Sequence, residues 1–390
     1  YLLILMFLMG QRKIKFKLNK FYLRAFFTLC LFIFSTHSLA AVTKNWIATD
    51  DGTEKLWSDS ANWSGGDGNA PTEGEFAVID GDRGQSSVKL TGNVKVKGLR
   101  VKDSYSGTIN LNGWNLVGAK QTAFWAPTTV LVPSGSTYRT NQHLVIGSTA
   151  RMIASGTGNI YVKSNFQNYG TFTAPTSSGS FIVKGGFNNF SGGVFNHNNG
   201  TVNLITRYKN QKNSVMPSAR IFIEDGPGDG RNFYNLTKTF KRGIYLLNNI
   251  EIENDLIIAD SGLIRANDSS NSFDITVGGD IDIDRSGNFQ AFSGKVILNG
   301  SSAQTIKSSA SFNHLQISNS DVSLLRNVAA SGTLTIDSGK KLDINGFNLT
   351  AGTLVNNGNF QLQGGETVAI TTMDTDTGTV TYDGTGTYSQ

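Results

Sequence analysis

The 390-residue chain carries one cysteine, Cys30, and it lies inside an apolar run near the N-terminus. Disulfide and thiolate chemistry are therefore excluded for everything downstream. Histidine is nearly as scarce: beyond residue 40 there are only His143, His197 and His314, in no H-x-x-x-H or H-E-x-x-H spacing. A zinc site needs three or four converging ligands, which these do not supply. Helical periodicity is missing from residue 41 onward, and six prolines against 44 glycines leave no proline-rich linker between domains.

The formal charge of +5 and the pI near 9.1 suggest an anionic partner until the positive residues are located. Arg12, Lys13, Lys15, Lys17, Lys20 and Arg24 crowd the first 40 residues with no acid among them, and the remainder is close to neutral. The basic run, the apolar stretch AFFTLCLFIFS and the small residues of SLAAV are the three parts of a secretory signal, cleaved after Ala40. The apolar stretch is shorter than the roughly twenty residues that span a bilayer. An uncleaved anchor is the rival reading, and Leu29 before Cys30 argues against a lipoprotein signal. Met9 opens a conventional signal, so residues 1–8 read as an upstream extension. The expected consequence is export across the inner membrane to an extracellular or cell-surface location.

What is present is short alternation. VKLTGNVKVKGLRV, GSFIVKG, RIFIEDG, FDITVGGDIDID and GTLTIDSG each hold a few Val, Ile, Leu, Phe or Thr residues closed by Gly, Asn, Asp or Ser. That is the pattern of strands and turns, and it predicts an all-β chain. GKVILNGSSAQTI at residues 294–306 is echoed by GTVTYDGTGTYSQ at 378–390 and by GTVNLI at 200–205. FYNLTK likewise matches FNHLQI, which suggests a long unit of roughly 80–95 residues occurring about twice, each made of several solenoid coils. The expected fold is a right-handed parallel β-helix, a β-solenoid of about thirteen coils and roughly 60 Å at ~4.8 Å per stacked strand. A β-sandwich array is the alternative. Residues 41–105 are expected to hold an N-terminal cap and the first strands, and residues 106–390 the repeats.

All five tryptophans fall between Trp46 and Trp125. An open solenoid end exposes strand edges and apolar core, so Trp57 and Trp63 are assigned to an aromatic cap. Trp114 and Trp125 are expected to pack there too; exposed, any of these indoles would stack on sugar rings. TINLNGWNLVGA and KLDINGFNLTAG share an Asn-Gly pair, Asn112-Gly113 and Asn345-Gly346, expected to form rung corners.

The W-S-D-S-A-N-W-S-G-G stretch at residues 57–66, the A-P-T-E-G-E-F-A-V-I-D-G that follows, and rungs in the style of residues 332–352 resemble large bacterial surface proteins. The resemblance is to autotransporter-type and filamentous-haemagglutinin-like β-helix passengers, and it covers most of the chain after residue 40. It implies secretion, surface display and adhesion, with a host surface, a neighbouring cell or a polysaccharide as partner, and it supplies no catalytic residue. Gln390 interrupts the third copy of a motif, so the chain is expected to continue into a downstream anchor.

Among polar clusters the sharpest is GGDIDIDRSGN, whose alternation puts Asp280, Asp282 and Asp284 on one face of a strand. Three carboxylates there are either solvated or bound to calcium. The D-x-D-x-S-G run from Asp282 starts like a calcium loop, yet its twelfth position is Ser293 instead of Glu. Asp374 and Asp376 form a weaker echo. Bases dominate residues 207–242 and acids residues 251–284, which is expected to reflect pairing between neighbouring rungs. No aromatic recognition module accompanies those bases, so nucleic acid is not an expected partner. The reading is a non-catalytic adhesive stalk, with a polysaccharide lyase or hydrolase, or a carbohydrate-binding module, as the alternatives. No cofactor other than calcium is expected.

Overall fold

Each short alternating run folds into one strand, and each glycine- or asparagine-rich cluster into a corner. A computed structural model describes residues 42–385, apart from residues 103, 121, 207–218, 241–242, 268–270, 285–287, 291, 309 and 320. Residues 1–40, the expected signal segment, lie outside the described residues. Strands Asn115–Gly118, Thr122–Phe124 and Thr129–Val132 make one coil with three sides, and Thr137–Thr140 starts the next coil directly over the first strand. Repetition builds a β-solenoid of about 13 turns.

Three long faces result. Face A is a 12-stranded sheet, face C a 14-stranded sheet, and face B is built from a seven-stranded sheet and an eight-stranded sheet whose last strands also extend onto face A. Apart from the first hairpin, Thr43–Trp46 against Trp63–Ser64, the strands pair in parallel. Within the segment expected to hold the cap and the first strands, parallel pairing joins Thr43–Trp46 to Phe76–Ile79 and Phe76–Ile79 to Gly98–Val101. The alternation is what points one side of each strand inward: Leu116, Tyr138, Ile160, Phe181, Val202 and Leu236 stack in register on face C, and all are fully buried or nearly so. Between Ile160 and Phe233 the interior is rich in phenylalanine, with Phe166 and Phe172 ring centroids 4.7 Å apart and Phe187 and Phe233 4.9 Å apart. Such edge-to-face and tilted pairs add about 0.5–1.5 kcal/mol each to the burial itself.

The Asn-Gly corners have a single construction. Asn112 and Gly113 take φ of 50° and 86°, and Asn345 and Gly346 take 50° and 76°. The Trp114 N–H donates to the Leu111 carbonyl at 2.8 Å and Phe347 N–H to Ile344 at 2.8 Å, closing turns whose two central residues are both left-handed. Asn112 Nδ2 reaches the Leu90 carbonyl of the preceding rung at 3.1 Å, and Asn345 Nδ2 reaches Leu324 at 3.3 Å. Asn198 repeats the device, with φ of 51° and a 3.1 Å bond to Ala174. The two matching stretches nevertheless sit at different corners, B to C for the first and C to A for the second. The long-period echoes behave alike: Thr201–Ile205 lies on face C and Lys295–Leu298 on face B. The structural repeat is therefore the single rung, of 22 residues near Asn115 and 25 near Asp282.

At the N-terminal end Trp46, Trp57 and Trp63 are buried, with Trp63 centroids 5.1 Å from Trp46 and 4.8 Å from Trp57. Trp63 Nε1 donates to the Trp57 carbonyl at 2.8 Å and Trp46 Nε1 to the Ser86 carbonyl at 3.1 Å, so two of the indole N–H groups this packing buries are satisfied. The loop after Trp63 is tied down by the buried Lys44 ammonium, which bonds Asp67 and lies 3.7 Å from Glu75. Near the other end, Val328–Ile336 and Leu349–Asn356 run without a break from face A to face B, bending at a register shift between Ala330 and Thr333.

One rung buries a cation on face C. Lys238 occupies an inward position on face C between Leu204 and Ile258 and is fully buried. Its ammonium donates to the carbonyls of Thr239 at 2.6 Å and Phe240 at 2.8 Å, and burial pushes its pKa down to about 7.

Two stability measurements follow from this geometry. Gly113→Val meets open space, so its cost isolates the left-handed backbone: a loss of about 1–2 kcal/mol in chemical denaturation is expected, and no loss would remove the corner assignment. Between pH ~7 and ~10 the unfolded chain holds a proton on Lys238 that the folded chain releases, so stability rises with pH across that window. Lys238→Met should stabilise by about 1–4 kcal/mol at pH 6 and by progressively less as pH rises to 10. A pH-independent effect would contradict the buried-cation account.

Candidate binding face

Face A presents one line of outward side chains in register: Arg100, Ala123, Val145, Gln167, Asn188 and Phe222. Ala123, Gln167, Asn188 and Phe222 are partly exposed and Arg100 is exposed, while Val145 is buried among its neighbours. The chain leaves face A at a corner occupied by Trp125 after Phe124, Tyr169 after Asn168 and Phe190 after Asn189. The intervening rung has Gly147 there, and a Cβ on it would lie 2.9 Å from the Trp125 backbone and indole. The missing side chain lets Trp125 lean across to Tyr169 at 6.0 Å between centroids. Tyr169 and Phe190 stack at 4.2 Å with planes 1° apart, and Phe222 meets Phe190 edge-on at 5.7 Å. Beneath this edge a buried amide pair fixes the corner, Asn168 Nδ2 donating to Asn189 Oδ1 at 2.6 Å and Asn189 Nδ2 to the Gly193 carbonyl at 2.7 Å.

The chain enters face A at a second corner, and there the residues are cationic. Lys97, Lys120, Lys163 and Lys184 follow the face C strands of successive or near-successive rungs, the last three exposed. Lys97 and the Arg100 guanidinium lie 5.4 Å and 4.9 Å from the centroid of Phe76. Lys97, Arg100 and Lys120 make no ion pair among the described residues.

At the N-terminal end of this face the floor deepens into an open groove of about 790 Å³, lined by Phe76, Arg100, Lys120, Ala123, Trp125 and the loop of Asp80 and Asp82. Asp80 accepts from Lys102 Nζ at 2.6 Å and from Ser104 Oγ at 3.1 Å. Those bonds, the lysine first, hold its carboxyl below the usual carboxylate range. It is thus a fixed anion and a poor proton donor at neutral pH.

Of the residues singled out from the sequence, Trp57 and Trp63 lie in the buried N-terminal cluster. Trp114 and Trp125, expected to pack with them, are instead 40% and 50% exposed, and only Trp125 lines the groove. Asp280, Asp282 and Asp284 flank or occupy strand Ile281–Ile283, but each carboxylate serves a different neighbour. Asp280 accepts from Thr305 N–H at 2.7 Å, Asp282 from Lys307 Nζ at 2.7 Å and Asp284 from Asp260 N–H at 3.0 Å. Among the described residues no cluster of three or more His, Cys, Asp or Glu is placed to hold a metal. The rest of the suspected calcium loop, residues 285–287, lies outside the described residues. Asp374 is taken up by the Asn356 N–H at 2.9 Å.

The three histidines stay apart. His197 pairs with Glu253 at 3.1 Å, while His143 and His314 accept backbone N–H groups from Asn165 and Thr333. Partial burial pushes the His143 pKa down. The basic stretch at residues 207–242 falls partly outside the described residues. The pairs resolved for the acidic stretch join Glu253 to His197 and Asp282 to Lys307, not to that basic stretch.

The two edges of face A were overlooked in the sequence, although a signal exists. IYVKSNFQNYG at 160–170 and FIVKGGFNNFS at 181–191 repeat V-K-x-x-F-x-N-aromatic at an offset of 21 residues. Comparison with protein-family models, curated proteins and solved structures returns no match for this chain.

The Asp80–Lys102 pair generates a pH test. Asp80 stabilises the fold at pH values above its unfolded pKa, and that contribution is lost as pH falls through its lowered folded pKa. Lys102→Ala should cost about 1 kcal/mol or less at pH 7, with the gap to wild type closing below about pH 4. A gap that persists unchanged in acid would assign the cost to packing alone.

Proposed function

We propose that this protein is an exported, non-catalytic β-solenoid stalk that works outside the cell as a rigid adhesive display element. The observation that carries the reading is the solenoid itself, about 13 turns around one continuous apolar core, with a long, repetitive outer face. A coil that touches only its neighbours builds length at little cost in chain, which suits a spacer. The signal-like residues 1–40 and the resemblance of residues 57–81 to bacterial surface passengers support export and display.

A polysaccharide-cleaving enzyme is the second reading, favoured by Asp80 and Asp82 in one groove with Arg100 and Lys102. Against it stands the pairing of Asp80 with Lys102, since acid–base cleavage of a glycoside requires one protonated carboxyl facing one ionised carboxyl. Immunolabelling of intact producing cells should detect the protein at the surface or in the medium, and external protease should remove the surface signal. Retention inside the cell would overturn the proposal. Purified protein should release no new reducing or unsaturated ends from acidic or neutral polysaccharides, whereas release abolished by Asp82→Asn would establish the enzyme reading.

A further inference from the structure

We infer that the outer side of face A binds a linear anionic polysaccharide, carboxylated or sulfated, laid lengthwise between the lysine edge and the aromatic edge. The inference rests on the stalk reading for its biological setting and supplies the partner for that same face. Strands on the face repeat every ~4.8 Å, so any side chain recurring at one corner forms a line parallel to the axis. Lys97, Lys163 and Lys184 share one register position on one side, with Ala119 and Asn141 on the rungs between the first two and Lys120 one residue further round the corner, and Trp125, Tyr169 and Phe190 share one on the other. A polymer with regularly spaced negative groups engages several of these cations at once, and each further contact gains from the ones already made. The floor between them offers the partly exposed Ala123 and the amides of Gln167 and Asn188 to the hydroxyls of a chain, with Val145 buried among them. Among the described residues lining the groove, Arg100 and Lys120 outnumber the one acid outside an ion pair, Asp82, because Asp80 is paired with Lys102.

A single-stranded nucleic acid also wants cations and aromatic rings, but it needs open ring faces on which successive bases stack. Tyr169 has Phe190 on one side and Trp125 on the other, and Phe190 has Phe222 against it. What this edge offers is ring margins and the half-exposed Trp125 indole, which suit the C–H-lined face of a sugar.

The test uses the purified chain with four probes: polygalacturonate, dextran sulfate, neutral dextran and a single-stranded oligonucleotide, in titrations at several salt concentrations. Binding to polygalacturonate, to dextran sulfate or to both is expected, weakening as salt rises, and the stronger of the two identifies the anionic group. Neutral dextran should not bind. Lys120→Glu with Lys184→Glu should weaken binding roughly tenfold or more. Trp125→Ala should weaken it with the salt dependence unchanged. Arg139→Glu, an exposed reversal on face C, should leave affinity as it was. Circular dichroism verifies that each variant folds. Equal binding of neutral dextran, tighter binding of the oligonucleotide, binding to none of the probes, or an Arg139→Glu loss as large as that of the double variant would each overturn the inference. Because these measurements use purified protein, they stand or fall independently of where the cell places it.

Discussion

Everything in this protein follows from the fact that one rung cannot bury its own apolar side. A strand of three or four residues, such as Phe166–Asn168, has too little surface to exclude water alone, and its backbone groups need partners above and below. Stacking solves both problems at once: the neighbouring rung supplies the hydrogen-bond ladder along the edge and the apolar contact within. The interior is consequently a column, and the Leu116-to-Leu236 line on face C is one wall of it. Positions facing outward and positions at the corners bear almost none of this constraint. Composition is free to vary there, and this chain has sorted lysines to one edge of face A and aromatics to the other.

The elements that were legible in the sequence are those governed by local physics. Alternation within four residues determines which side chains face inward, and Asn-Gly marks a turn because both residues tolerate positive φ. The burial of Leu111, Leu116, Ile344 and Leu349 on either side of the two corners follows from the same alternation. The N-terminal aromatic cluster was legible because large rings at a solenoid end have one useful place to go. Trp125 escaped that rule: it stands at a face A corner beside Gly147, well inside the stack of rungs, where an indole has open surface to lean across.

What stayed illegible depends on residues a full rung away. Asp280, Asp282 and Asp284 do alternate along one strand, but their partners, such as Thr305 and Lys307, lie 25 residues further on. A local reading therefore sees three naked carboxylates where the structure has three satisfied ones. The long-period echoes misled for a related reason. Any strand with inward alternation and a glycine end fits any of the three faces, so similar stretches carry no information about which face they occupy. The short repeat at an offset of 21 residues does carry it, because the corner asparagines Asn168 and Asn189 bond each other through the interior.

The buried Lys238 has a mechanical meaning. In a column where each coil grips only the two beside it, a pull along the axis passes through every interface in series, and the weakest interface sets the load the whole column bears. At several levels that interface also buries a neutral polar side chain, such as Thr140, Asn168, Asn189 or Gln304. At Lys238 one wall carries a cation between Leu204 and Ile258. The grip between coils at this level therefore depends on the charge of one side chain, which burial drives toward its neutral form, as well as on apolar contact.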